Sequence, residues 1–150
     1  MPVFKSLKEV ERAILERSSL AVKAAEEKVF NSLHKYLSFY YAEYTPVDYE
    51  RTWQLFNSLV KSGIKVSRTG TKGVSSEVYF DSSALNYKDI KEGDKWSTYE
   101  VLQTALVEGR HGGEKLNIGG TAVWESGRKE MGDVYALLRR ALIDAGIPIR

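Results

Sequence analysis

The chain has 150 residues, about one domain's worth, of which 43% are apolar and 28% charged, the profile of a soluble globular protein. Twenty-two bases against 20 acids leave a formal net charge of +2, no strong reason to expect nucleic acid or an anionic membrane as partner. Cysteine is absent, which excludes disulfides and thiolate metal sites; no apolar run approaches the roughly 20 residues that span a bilayer, and the opening MPVFKSLKEVERAIL lacks the apolar core of a signal peptide.

The first segment has a clear helical period. Leu7, Val10, Ile14, Ala21, Ala25, Val29, Leu33, Tyr36 and Tyr40 fall on one drifting stripe, and Lys5, Glu9, Arg12, Glu16, Lys23, Glu27 and His34 fall opposite. This predicts an amphipathic helix from about Phe4 to about Tyr40, with Ser18-Ser19 its one plausible bend. Such a helix is roughly 50 Å long. A compact chain of this length has a gyration radius of only ~15 Å, so the helix must bend, project or lie against a neighbouring subunit. A second patch of Ala13, Leu20 and Ala24 lies on the polar side. It reads either as ordinary helix surface or as a subunit contact.

Thr45-Pro46-Val47-Asp48 carries the signals of a helix start: a threonine N-cap, a proline at the first helical position and an acid three residues after the cap. A short helix is expected over Pro46 to Val60, burying Leu55, Phe56 and Leu59 and leaving at Gly63. The period then switches to two. Ile64 to Thr69 and Val74 to Phe80 alternate on either side of Gly70-Thr71-Lys72-Gly73, which predicts a β-hairpin with one face toward the core. After an irregular stretch over 84–95, a capping box at Ser97 to Glu100 predicts a helix over Thr98 to Glu108, closed at Gly109. The glycine-rich segment GRHGGEKLNIGGTAVWESG reads as a long loop, mobile in the isolated protein, with a short strand at Ala122–Trp124. A last helix, Arg128 to Ala145, turns Met131, Val134, Tyr135, Leu138, Ala141 and Leu142 inward; Gly146 caps it and Pro148 stops it. The expected fold is α+β: one domain over 1–150, with the long helix at 1–40, the hairpin, short helices and loop at 46–127, and the C-terminal helix at 128–146.

No catalytic signature stands out. A metal site needs converging ligands, and the two histidines, His34 and His111, are far apart in sequence. His34 lies on the polar face and is expected in solvent. His111 reads as a turn or interface residue, with a general base as the lesser alternative. Gly109-Arg110-His111-Gly112-Gly113 lacks the lysine of a phosphate loop and the spacing of a dinucleotide site. No serine sits in a nucleophile elbow, and Glu125 and Glu130 are not read as a catalytic pair. Two modestly basic patches, Lys61, Lys65, Arg68 and Lys72, and Arg128, Lys129, Arg139 and Arg140, read as solvated surface, or as weak sequence-blind contacts if the protein lines a passage for DNA. In YYAEYTPVDYERTW (40–53), Tyr41, Tyr49 and Trp53 cluster where the long helix turns into the next. They form a structural corner, an interface cluster or a small-ligand pocket.

The order of elements, the Thr45 to Asp48 turn and the segment Leu55-Phe56-Asn57-Ser58-Leu59 resemble the tail-component or neck proteins of long-tailed bacteriophages, the tail-completion or head–tail joining class. A subgroup from phages of Gram-positive hosts is similar in Tyr40 to Thr52, in Tyr79-Phe80-Asp81 and in His111-Gly112-Gly113, whereas most family members have threonine-glycine where this chain has Tyr49-Glu50. The resemblance implies a long helix packed on a small antiparallel sheet. It implies a homo-oligomeric ring in the neck or tail of the virion, commonly six-fold, assembled in the host cytoplasm. The ring would bind a head-closure or connector protein on one side and a tail-terminator or tail-tube protein on the other, with DNA near its lumen. It implies no catalytic residue, cofactor or metal. The candidate interface residues are Ala13, Leu20, Ala24, Tyr41, Tyr49, Trp53, Arg110, His111 and Trp124. A small regulatory or inhibitory protein acting on a host protein is the alternative, with the aromatic corner as its binding surface; a hydrolase or nuclease using His111 is a third.

Overall fold

The computed structural model describes residues 3–43, 45, 53–86, 100, 102–111 and 118–149. The fold is α+β, with a long N-terminal helix, helices at the C-terminus and short strands between them.

Helix α1 runs over Leu7–Ala42, 36 residues without a break. Its start is set by Ser6, whose hydroxyl accepts the Glu9 amide at 3.3 Å while the Glu9 carboxylate reaches back to the Lys5 amide at 2.7 Å. That reciprocal arrangement satisfies amides that no helical carbonyl can reach. The helix is not interrupted at the serine pair, where Ser19 donates its hydroxyl to the Leu15 carbonyl at 2.8 Å.

The chain divides into two compact units, Met1–Lys28 with Lys61–Val78 and Gly132–Arg150, and Val29–Val60 with Tyr79–Met131. The first unit holds the N-terminal part of α1, a β-hairpin and the last helix. In the hairpin, β2 (Lys65–Ser67) pairs antiparallel with β3 (Gly73–Ser75), Val66 facing Val74. The expected hairpin ran on to Phe80. Instead the second strand is interrupted at Ser76-Glu77, and β4 (Val78–Phe80) pairs with β1 (Leu59–Lys61), a strand lying where the sequence predicted helix.

The single C-terminal helix expected from Arg128 is also two helices, α3 (Val123–Met131) and α4 (Val134–Asp144). Gly132 takes φ 71, the left-handed conformation that ends a helix, and Asp133 then caps α4 by accepting the Tyr135 amide at 3.0 Å. Val134 and Tyr135, expected inward, are exposed, Tyr135 at 74%; Leu138, Ala141 and Leu142 are half-buried. Arg17 fastens α1 within this unit by donating to the Gly146 carbonyl at 2.9 Å.

The second unit has a well-packed core. Leu33, Leu37 and Val123 are fully buried, and Leu55, Leu59, Ala105, Leu106 and Met131 are buried as well. Gly127 lets α3 approach α1: a Cβ there would meet Leu33 Cδ2 at 2.7 Å, and Ser32 donates to the Gly127 carbonyl at 3.0 Å. Helix α2 covers only Gln54–Ser58, followed at once by β1. The expected start of that helix at Pro46 lies outside the described residues. Most of the helix predicted over Thr98 to Glu108 is described and is helical: Glu100 and Leu102 are in helix, and Gln103–Val107 form a π-helical turn closed at Gly109 with φ 66. Within the glycine segment β5 (Arg110–His111) pairs antiparallel with β6 (Ile118–Gly119). No strand forms at Ala122–Trp124, because Val123 already opens α3.

Candidate functional site

Within the second unit Tyr40, Tyr41 and Trp53, the described aromatic residues of the 40–53 tract, form with Phe56 a corner whose geometry follows from one difficulty. Helix α2 needs an N-cap, and the residue in that position, Trp53, has no acceptor to offer. Tyr41 supplies it: its hydroxyl accepts the Phe56 amide at 3.2 Å. To reach that amide, Tyr41 lies buried against Trp53, the two rings stacked with centroids 4.8 Å apart and 11° from parallel. Phe56 stands edge-on to both, at 5.5 Å and 5.8 Å. Trp53 takes φ 60 and ψ 11, the one positive φ at a non-glycine among the described residues. Such a conformation costs about 1–2 kcal/mol for an L-residue, and the stack helps to offset it.

The corner extends to residues that sequence reasoning placed elsewhere. His34, expected in solvent, is half-buried, with its ring 5.7 Å from Phe30 and 4.7 Å from Phe56. Phe30, His34 and Tyr41 follow one another by four and seven residues, a helical spacing visible in the sequence but outweighed there by the polarity of histidine. Tyr40 donates to the Arg110 carbonyl at 2.7 Å, which ties β5 to the end of α1. Glu43, one residue past that end, accepts both the amide and the hydroxyl of Thr121. The arrangement is a joint with its hydrogen bonds made, and Trp53, 45% exposed, is its outward face.

Of the candidate interface residues, Tyr41 and Trp53 are therefore brought together. Arg110 joins them through its backbone, while its exposed side chain lies 3.4 Å from Glu108. His111 sits in β5 opposite Ile118. Trp124 is exposed on the first turn of α3. Tyr49 lies outside the described residues. In the first unit Leu20 is 66% exposed, Ala24 is exposed and Ala13 half-buried. Leu7, at 88%, and Ile14 are exposed on the same helix; the sequence stripe placed both inward.

The electrostatics are paired. Lys61 meets Glu27 at 2.6 Å, Lys65 meets Glu77 at 3.3 Å and Lys72 meets Glu11 at 2.8 Å, so three of the four bases of the hairpin patch carry a carboxylate partner. Glu130 bonds Lys35 at 2.8 Å, and this bond, followed by one from the Tyr36 hydroxyl, holds its carboxyl below the ordinary range. Among the described residues there is no group of three or more histidine and acidic side chains that could hold a metal ion, and no helix long and apolar enough to cross a membrane.

No curated protein and no solved structure matches the chain. A family model does: that of YomN matches residues 6–145, which takes in both α1 and α4 and the whole aromatic tract. The chain therefore belongs to the YomN family, whose name is that of a Bacillus phage-region protein, and the match marks it as phage-associated.

Proposed function

We propose that the chain is a structural protein of a phage particle, a neck or tail-completion subunit acting in a homo-oligomeric ring between a head-closure or connector protein and the tail. The observation that carries this reading is the family match over residues 6–145, which makes a phage-associated protein of nearly the whole chain rather than of one motif. Two features of the molecule support it. Tyr40, Tyr41 and Trp53 are packed into a joint in which the Tyr40 and Tyr41 hydroxyls both make hydrogen bonds, which suits a rigid building block better than a pocket for a small molecule. The first unit also displays large apolar side chains, Leu7, Ile14 and Leu20 on α1 and Val134, Tyr135 and Ile143 on α4. Apolar surface of that kind on a soluble chain marks contacts with other chains.

The experiment is mass analysis of purified particles of the parent phage, followed by electron cryomicroscopy of the neck. The chain should appear in the particle at a fixed small copy number and occupy a ring at the head–tail junction. Its absence from particles, or its recovery from lysates bound stoichiometrically to a host enzyme, would sink the reading and favour an inhibitor.

A further inference from the structure

The β2–β3 hairpin is attached to the first unit in an uneven way. At its base both legs break at the same level: Gly63 takes φ 72 just before β2, and Ser76-Glu77 interrupts the strand just after β3. One carboxylate pins both breaks. Glu26, 7% exposed, accepts the Gly63 amide at 3.1 Å and the Ser76 hydroxyl at 2.6 Å through the same oxygen, Oε1. Ser62 and Glu77 bridge the two legs there: the Ser62 amide donates to the Glu77 carbonyl and the Glu77 amide donates to the Ser62 hydroxyl, each at 2.9 Å. Beyond this base the hairpin runs beside α1 toward the helix N-terminus. At its tip Lys72 meets Glu11 at 2.8 Å, with both side chains about half exposed. Glu11 and Glu26 lie on one face of α1, roughly 22 Å apart along its axis.

Between base and tip little apolar surface is covered. All three residues of β2 are exposed, Val66 among them, and no residue of β3 is buried. A two-stranded hairpin has marginal stability of its own, and a segment with few buried apolar contacts opens before the rest of the structure. An exposed ion pair contributes little and is screened by salt.

We propose that residues 62–77 form a hinged arm, pinned at its base by Glu26 and latched at its tip by the Lys72–Glu11 pair, and that ionic strength opens the latch while the base holds. Among the described residues β2 and β3 pair only with each other, so opening moves their outer strand edges away from α1. This holds whether or not the chain forms a ring.

The test is hydrogen exchange read by mass spectrometry on the full chain at low and high sodium chloride. Peptides covering 65–75 should exchange roughly two- to five-fold faster at high salt, the factor expected for loss of one exposed ion pair. Glu11→Gln should give the fast rate already at low salt and shrink the salt response to what the Lys65–Glu77 pair of the hairpin contributes. Glu11→Lys should also give fast exchange at low salt, and adding Lys72→Glu to it should restore slow exchange. Peptides around Leu33 and Leu37 should not change in any of these. If salt and the variants leave 65–75 unaffected, or accelerate the Leu33–Leu37 segment to the same degree, the arm does not open on its own and the proposal fails.

Discussion

Tyr41 and Trp53 lie face to face, 4.8 Å between ring centroids, although Trp53 must hold its backbone at φ 60 to do so. The backbone there prefers glycine, and the side chain is what overrules it. Two substitutions separate these effects. Trp53→Ala and Trp53→Gly both lose the stack, worth about 0.5–1.5 kcal/mol beyond burial. Only alanine keeps the left-handed penalty. Trp53→Gly should therefore be the more stable of the two by about 1 kcal/mol in urea unfolding. Equal stability, or alanine ahead, would show that the backbone there is not strained.

The partner ring gives a second, independent measurement. Tyr41→Phe keeps the stack on Trp53 and removes only the hydroxyl that accepts the Phe56 amide. Loss of a helix cap of this kind costs about 1 kcal/mol. The variant should unfold earlier by that amount while Trp53 fluorescence in the folded state stays as it was. A change in the folded-state spectrum would mean that the hydroxyl, and not ring packing, orients the corner.

Two glycines of the second unit should respond differently to alanine. At Gly127 the added Cβ would meet Leu33 Cδ2 at 2.7 Å, the end of a side chain that can rotate at some cost to a full core. Overpacking of this sort costs about 1–3 kcal/mol. At Gly109 the Cβ would meet backbone atoms of Gly120, Thr121 and Ala122 at 2.5–2.6 Å, and φ is 66 as well. Nothing there can rotate aside, and left-handed strain of roughly 1–3 kcal/mol adds to the clash. Gly109→Ala should be the more damaging, and a thermal melt in which it equals or exceeds Gly127→Ala in stability would contradict the close approach of these backbones.

These particulars show what a sequence can disclose. The long helix was legible because its stripe persists over many turns and no glycine or proline interrupts it. Its ends were off by a few residues, since Ser6 and Glu9 cap it later than the apolar period begins. The break at Gly132-Asp133 was written as a stop signal followed by a start signal, but the apolar period continues across it and hid both. The strand β1 was hidden by the helix-like run Leu55, Phe56, Leu59. Strand pairing won at Leu59–Lys61 because β4 offers a partner from far along the chain, which no local pattern reports. Tyr41 and Trp53 are legible as a cluster from their place at the turn between the long helix and the next. The reason they meet, an N-cap that tryptophan cannot provide, needed the backbone. Glu26 gave no signal at all: it reads as one more surface acid until Gly63 and Ser76 are seen to converge on it.

Lys35, Tyr36 and Glu130 give a pH signature whose sign can be worked out. Glu130 has its pKa lowered from the ordinary 4.5, first by the hydrogen bond from Lys35 and then by that from Tyr36. Its share of stability is thus present above pH 4.5 and is lost as pH falls through the lowered folded value. Lys35 is raised from 10.5 and Tyr36 from 10.0, each chiefly by its hydrogen bond to Glu130. The charged ammonium and the neutral phenol are the forms that bind the carboxylate. Their contributions are complete below those ordinary values and are lost as pH rises through the raised ones. Glu130→Gln should therefore flatten stability at both the acid and the alkaline end, and Tyr36 ionisation, followed by ultraviolet absorbance, should move down toward 10.0. Because these groups lie at the surface, added salt should shrink the acid and alkaline effects of the wild type toward the variant's. A Tyr36 titration unmoved by Glu130→Gln would show that the phenol bonds something other than this carboxylate.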